Sequence, residues 1–367
     1  MDQDIGKTID GIRKATGVPY LDVVCFDGYK EVFRHVSGDG ATGKERLMMY
    51  SCTKPMTVVG AMRLVERGVL DLDDEVEKYL PEAKNAYVLD ENGKKTPPKQ
   101  KMTIRNLLSM SAGLDYNVKA EPVLQVVKTL GEGATLRDCI PAFFQSPLCC
   151  EPNTKFVYSM CHDVLAAVIE VVSGKKFSAY MDEEILQPLG MQKSYFDNRE
   201  VPFAKMYQAT EQGKIEETDC KNVLLPTKAY ESGGAGLIST VEDYALFAKA
   251  IANDGVAENG YRLMKKETIQ EIYTEQMSRI GCRNFECVQG DGYSYGLGVR
   301  TRVQATDWGL PVGEFGWDGW AGSYLMIDPK HKISVVMGMH LCDWYYVFHN
   351  HLDIVRLLYE NILKIKG

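Results

Sequence analysis

Apolar and polar residues alternate in two short runs between Leu21 and Val36 (LDVVCFDGYKEVFRHV), on either side of Asp27-Gly28, and this pattern predicts an N-terminal β-hairpin. From Ser51 to Arg67 the rhythm changes. Val58, Met62 and Val65 recur at helical spacing and Gly68 follows as a C-cap, so a buried helix is predicted whose first residue is Ser51. From about 75 to 200 the chain reads as mostly helical, including 103–110, 122–130, 136–145 and 161–173, with breaks at Pro97-Pro98, Pro147, Pro152 and Pro188. After Gly233-Gly234 a helix at about 240–253 precedes β-like segments at 295–303, 313–318, 322–328 and 332–340, and an amphipathic helix covers 349–364. Strands, a helical block and strands again predict an α/β (α+β) fold, with an antiparallel sheet flanked by helices and an inserted all-helical subdomain. The expected division is a sheet domain from 1–75 and 200–367 and a helical subdomain from 76–199, with the active site at their interface.

Composition narrows the function classes. The 42 Lys+Arg and 50 Asp+Glu of the 367 residues give a net charge of −8, and no basic stripe interrupts the acidic balance. Nucleic acid and anionic membrane surfaces both require clustered cations, so neither is an expected partner. No run approaches the roughly 18 to 20 apolar residues that cross a bilayer. The acidic start Met1-Asp2-Gln3-Asp4, with Asp10, Arg13 and Lys14 soon after, does not resemble a secretion signal, and a cytoplasmic location is expected. Ten cysteines lie scattered without Cys-x-x-Cys pairs, which reads as reduced thiols. Cys282-x4-Cys287 and Cys149-Cys150 lack a histidine at ligand spacing, so no metal and no cofactor are expected.

Several literal motif matches compete. Gly38-x-Gly-x-x-Gly43 fits a dinucleotide fingerprint, but a polar loop follows it where a helix is needed. Gly292-x-Ser294-x-Gly296 fits a nucleophile elbow, but a glycine-rich loop precedes it and a strand-like segment follows. Ser-x-x-Lys occurs at Ser51–Lys54 and at Ser173–Lys176. Ser173 sits at the polar end of a helix beside Gly174, whereas Ser51 opens a helix with an apolar face. Residues three apart share one side of a helix, so Lys54 can reach the Ser51 hydroxyl, and a helix N-terminus favours developing negative charge. The competing structural reading is a serine N-cap followed by a solvated lysine. Tyr158, just before the helix at 161–173, adds a phenol that a neighbouring ammonium would convert into a proton shuttle.

The chain resembles the serine β-lactamase and penicillin-binding-protein-like superfamily, in particular its class C-like branch containing family VIII carboxylesterases. Besides Ser51-x-x-Lys54 and Tyr158-Ser159, the segment from Thr103 to Leu114 (TIRNLLSMSAGL) is similar to the family's TIRHLLTHTSGL. Pro188-Leu189-Gly190-Met191 follows, and Gly233 to Thr240 (GGAGLIST) is similar to its GGAGLVST turn. Gly316 to Gly322 (GWDGWAG), ahead of Ile327-Asp328-Pro329, resembles its third motif on the active-site edge strand. The resemblance covers nearly the whole chain.

That resemblance implies a β-lactamase/transpeptidase-like fold, Ser51 as acylated nucleophile, and Lys54 and Tyr158 sharing general-base and general-acid work. A lysine buried beside a tyrosine is expected to lose its proton near neutrality. The oxyanion hole would be the backbone N–H groups of Ser51 and Trp320, with Gly319 leaving the substrate's approach unobstructed. Two departures bear on the substrate. Met160 stands where penicillin-processing relatives carry Asn, and Trp317 stands where relatives that bind a carboxylate carry Lys or His. Tyr116, Met160, Trp317, Asp318 and Gly319 are the expected substrate-binding residues, in an apolar, aromatic site. The expected activity is hydrolysis of small esters, with a small-molecule ester or amide as partner. Acyl transfer, amide hydrolysis, β-lactam or D-Ala-D-Ala cleavage, and ligand binding without turnover stand as alternatives, and the oligomeric state is left open.

Overall fold

The computed structural model describes residues 2–364 apart from 39, 198, 200, 211, 220, 282–291 and 343, and the side chains of 2–3 and 344–349 are also outside the description. Seven strands form the main sheet: β1 (Tyr20–Asp27), β2 (Lys30–Gly38), β3 (Tyr293–Tyr295), β4 (Arg300–Arg302), β5 (Phe315–Asp318), β6 (Tyr324–Asp328) and β7 (Ile333–Gly338). Their order is β2-β1-β7-β6-β5-β4-β3, antiparallel throughout. The hairpin opened by the N-terminus is therefore completed by the C-terminal strands, with Asp22 opposite Gly338 and Asp27 opposite Ile333.

Side-chain alternation sorts the sheet into two faces. Leu21, Val23 and Cys25 of β1, Met326 of β6 and Val335 of β7 pack with Ile5 and Ile9 of helix α1 (Asp2–Thr16) and with Ile354, Val355 and Leu358 of the C-terminal helix (Trp344–Leu358). Val24, Leu325, Ile327 and Val336 point the other way. There they join a larger core built from α2 (Thr53–Glu66), α3 (Cys161–Ser173) and α4 (Val241–Ala252). With the C-terminal helix named α5, the layers run α1 and α5, sheet, then α2, α4 and the helices between 104 and 189. The core runs unbroken from the sheet into those helices.

Three local features depart from the sequence reading. The expected strand 295–303 is two strands, β3 and β4, because the chain turns at Gly298. Its φ is 73°, and a Cβ there would lie 2.2 Å from Val58. Helix α1 is unannounced by the reading above, although Ile5 and Ile9 are one turn apart and buried. A small sheet of Met206–Ala209, Ile215–Thr218 and Leu341–Cys342 is likewise additional. Of the competing motifs, Gly40 to Gly43 lead into the two-residue strand Leu47–Met48 and not a helix, with Asp39 outside the described residues. Ser294 lies within β3 and donates to Glu275 at 2.7 Å. Ser173 ends α3 before Gly174, with its hydroxyl accepting from the Lys175 N–H.

Candidate active site

Ser51 stands in a 3₁₀ turn, Tyr50–Cys52, that leads directly into α2. The expected helix thus starts at Thr53, and Ser51 precedes it. Its side chain makes no capping bond, so the serine N-cap reading does not hold. Tyr50 takes a φ of 44°, a conformation disfavoured for a residue with a Cβ, and so turns the chain sharply ahead of the serine.

Lys54, one helical turn on and fully buried, donates from Nζ to Ser51 Oγ at 3.2 Å and to the Gly234 carbonyl at 2.8 Å. Its third contact is the Tyr116 hydroxyl at 3.4 Å. From the segment before α3, Tyr158 donates its hydroxyl hydrogen to Ser51 Oγ at 2.7 Å. Lys54 Nζ lies 4.6 Å from the centre of the Tyr158 ring, and Tyr116 stacks on that ring with centroids 5.4 Å apart. On the other side, Trp317 of β5 donates from Nε1 to the Tyr158 oxygen at 3.2 Å. Ser51, Lys54, Tyr158, Tyr116 and Trp317 thus form one connected group drawn from four separate stretches of the chain.

The electrostatics revise the expectation for Lys54. Burial disfavours its charged form, but the negative charge that Tyr116, Tyr158 and Asp163 can carry outweighs burial and holds the ammonium above the ordinary lysine range. The direction runs against the expectation that Lys54 loses its proton near neutrality. Burial, aided by the Lys54 charge, pushes neighbouring His162 down to about 3. Burial pushes Tyr116 up to about 12 against the pull of the same cation. Cys52, beside the serine, is pushed up to about 12 by burial and does not compete as a nucleophile.

The surroundings of Lys54 include groups absent from the sequence reading. Asp163 of α3 accepts from Ser232 Oγ at 2.6 Å, and Ser232 Oγ in turn accepts from the Gly234 and Ala235 N–H groups. This fixes the turn whose carbonyl holds Lys54. A Cβ on Gly234 would lie 2.6 Å from Asp163 Oδ2 and 3.5 Å from Lys54 Nζ, so only glycine fits between them. The tandem Gly233-Gly234 is the one visible signal for this turn. Asp163, five residues after Tyr158, carries none.

The other expected residues divide. Gly319 packs directly behind the nucleophile, where a Cβ would lie 2.4 Å from the Met49 carbonyl oxygen. The turn it opens is closed by Gly319 N–H to Ser323 O (2.7 Å) and Gly322 N–H to Gly319 O (2.9 Å), and Ser323 Oγ donates to Met49 O at 2.6 Å. Among the described backbone hydrogen bonds, neither the Ser51 nor the Trp320 N–H is donated to a protein acceptor. The Trp320 ring is 39% exposed and meets Tyr50 edge-on at 5.4 Å. Met160 begins α3 with its N–H on Asp115 O and its side chain in the core. Asp318 requires a correction. Alternation along β5 turns it away from Ser51 to the opposite face, where it meets Arg300 at 3.3 Å, so it is not a substrate-binding side chain.

Among the described residues no group of three or more His, Cys, Asp or Glu is placed to hold a metal ion, and Cys282 and Cys287 lie outside them. No helix of the described residues is long and apolar enough to cross a membrane.

Comparison with known proteins agrees with this fold. The chain is 28% identical over 314 residues to esterase EstB of Burkholderia gladioli, covering 78% of this chain and 75% of that protein. It is 27% identical to acyltransferase calJ of Penicillium decumbens, over 78% of this chain and 74% of that protein. Its fold matches the solved structure of EstCE1, described as a hydrolase with promiscuous acyltransferase activity, with a TM-score of 0.79, 24% identity, and coverage of 98% and 99% of the two chains. The Beta-lactamase family model matches residues 5–341, and the chain belongs to that family.

Proposed function

We propose that the protein is a serine hydrolase that cleaves small esters through an acyl-enzyme on Ser51. The observation that carries this reading is the placement of Tyr158 OH at 2.7 Å and Lys54 Nζ at 3.2 Å from one serine oxygen. With Tyr158 and Lys54 both protonated the site holds no base. The active form is one proton short: a Tyr158 phenolate beside the Lys54 ammonium, with Trp317 Nε1–H also pointing at the phenolate oxygen.

From this form the phenolate takes the Ser51 proton as Oγ attacks the ester carbonyl. The oxygen of the tetrahedral intermediate receives the Ser51 and Trp320 N–H groups, a contribution of about 10²–10³ in rate per donor. Collapse breaks the bond to the leaving alkoxide, which Tyr158 protonates. Water then repeats the sequence: it gives a proton to Tyr158, attacks the acyl carbonyl, and Ser51 recovers its proton as the acid departs.

Tyr116 and Trp317 flank Tyr158 on the side of the site read as receiving substrate, and its aromatic character suits an uncharged acyl or alcohol group. Trp317 in place of a cation disfavours β-lactams and D-Ala peptides, whose carboxylate would be left without a charged partner. Acyl transfer to an alcohol is the second reading, favoured by the similarity to acyltransferase calJ. The segments 1–75 with 200–367, and 76–199, are read as two subdomains meeting at Ser51. A cytoplasmic setting accords with Cys25, Cys52, Cys139, Cys161 and Cys342 being thiols and not disulfides.

Intact mass spectrometry during turnover of short-chain aryl esters tests the proposal. One acyl increment on Ser51 is expected, together with one fluorophosphonate label at the same residue. Decay of the adduct with water alone identifies a hydrolase, and decay that requires an added alcohol identifies a transferase. A label mapped to Ser294 would overturn the mechanism.

A further inference from the structure

Of the buried histidines His162, His340 and His351, none of which moves a proton in the mechanism, His351 lies beside the turn that carries Trp320. His351 of α5 lies on the far side of the sheet from Ser51 and is 1% exposed. Its Nε2 faces the Gly322 carbonyl oxygen at 3.2 Å, and its Nδ1 stands 3.4 Å from Asp318 Oδ1. Asp318 immediately precedes Gly319, and Gly322 ends the turn that Gly319 begins. One imidazole therefore lies against both ends of the turn that carries Trp320, whose N–H is the proposed oxyanion donor.

The ring is itself held. It packs against the Tyr324 ring of β6 with centroids 4.5 Å apart, and the other oxygen of Asp318 meets Arg300 Nη1 at 3.3 Å. Arg300 also donates to the Leu325 carbonyl at 3.0 Å and lies 3.5 Å from Glu314, so the Asp318 carboxylate is fixed from both sides. On the opposite face Ser323 Oγ fastens the same turn to Met49, two residues before the nucleophile. The turn is thus tied to the serine from above and to α5 from below.

We propose that His351 is a positioning residue for the oxyanion hole: hydrogen-bonded to the Gly322 carbonyl and packed beside Asp318, it fixes where the Trp320 N–H stands relative to Ser51. The inference rests on the acyl-enzyme reading and on Trp320 as an oxyanion donor. Its physical basis is that a donor about 1 Å out of place loses most of its benefit in the transition state while ground-state binding is little changed.

The test compares wild type with His351→Phe, which keeps a ring against Tyr324 and removes both nitrogens, and His351→Gln, whose amide can again donate to Gly322. Steady-state hydrolysis of one aryl ester and inhibition by an aryl boronic acid, which forms a tetrahedral adduct on the serine, are the readouts. For His351→Phe, kcat is expected to fall about 10- to 100-fold with KM within about threefold, and boronate affinity to fall in parallel. The glutamine variant is expected to recover part of both. A folded His351→Phe enzyme with kcat within about twofold of wild type overturns the inference. So does a loss carried by KM alone. If the phenylalanine variant does not fold, Asp318→Asn takes its place under the same criteria. Ser51→Ala, measured alongside, separates the two failures: esterase activity that survives it refutes the acyl-enzyme reading, whatever the histidine variants show.

Discussion

The indole N–H of Trp317 donates to the phenol oxygen of Tyr158 at 3.2 Å, in a chain whose sequence separates the two by 159 positions. The residue that stands where relatives carry a cation is thus part of the proton-transfer group as well as a wall. A hydrogen bond to a charged oxygen contributes about 1.5–3 kcal/mol. Trp317→Phe, which keeps an aromatic ring, is therefore expected to lower kcat/KM for aryl esters by about 10- to 100-fold with a melting temperature near that of wild type. An unchanged kcat/KM would show that the indole N–H is not used.

Lys54 and Tyr158 meet at the Ser51 oxygen, where Tyr158 moves the proton and the Lys54 ammonium supports the phenolate that receives it. Lys54→Ala and Tyr158→Phe are each expected to cost much of what Ser51→Ala costs, and the double variant far less than the product of the two losses. Kinetics of the four proteins on one ester, with thermal melts as the folding control, measure this. Near-wild-type kcat in a folded Lys54→Ala protein would end the proposed mechanism.

Gly319 has no room for a side chain. A Cβ would lie 2.0 Å from Ser323 Oγ and 2.4 Å from Met49 O, and the second of these is backbone of the nucleophile turn. Gly319→Ala is expected to destabilise the fold by about 1–3 kcal/mol and to reduce kcat more than a hundredfold, because the two turns must separate. Denaturant unfolding and ester hydrolysis check the two halves.

Asp22, fully buried on β1 beside Arg34 at 2.8 Å, should shape the pH dependence of stability. Burial pushes its carboxyl up to about 7, and the Arg34 charge only partly opposes this. The folded state then binds this proton more tightly than the unfolded chain, whose carboxyl titrates near 4. Stability from this group is complete below about pH 4 and is lost as pH rises to about 7, up to about 4 kcal/mol in all. Asp22→Asn should flatten that part of the curve, as measured by urea unfolding at a series of pH values.

The central strands β1 and β7 were legible because one face is buried against α1 and α5 and the other against α2 and α4, which leaves the mainly apolar runs Leu21–Phe26 and Ile333–Gly338. Ser51 and Lys54 were legible because three residues is nearly one helical turn. Asp318 misled because its neighbour Trp317 does face the serine, and adjacency in a strand means opposite faces. Asp163, Ser232 and His351 could not be found from one sequence. Each acts through a backbone turn far from it along the chain, at Gly234 or Gly322, so no local spacing records the contact. The charge state of Lys54 depends on the phenols and carboxylate that fold around it, which residue type and burial alone do not reveal.

Strand β1 lies between β2 and β7, with Cys25 opposite both Phe33 and Val335. During synthesis the hairpin therefore emerges with one long edge unpaired, and about three hundred residues must follow before its partner exists. Such distant pairing is slow to form and leaves an open edge liable to pair wrongly in the meantime. Trp317 and Trp320 arrive in the same late stretch, so for most of translation the nascent chain carries Ser51, and from residue 158 on also Tyr158, without the two N–H donors proposed to assist them. A chaperone that shields the β1 edge would favour correct maturation.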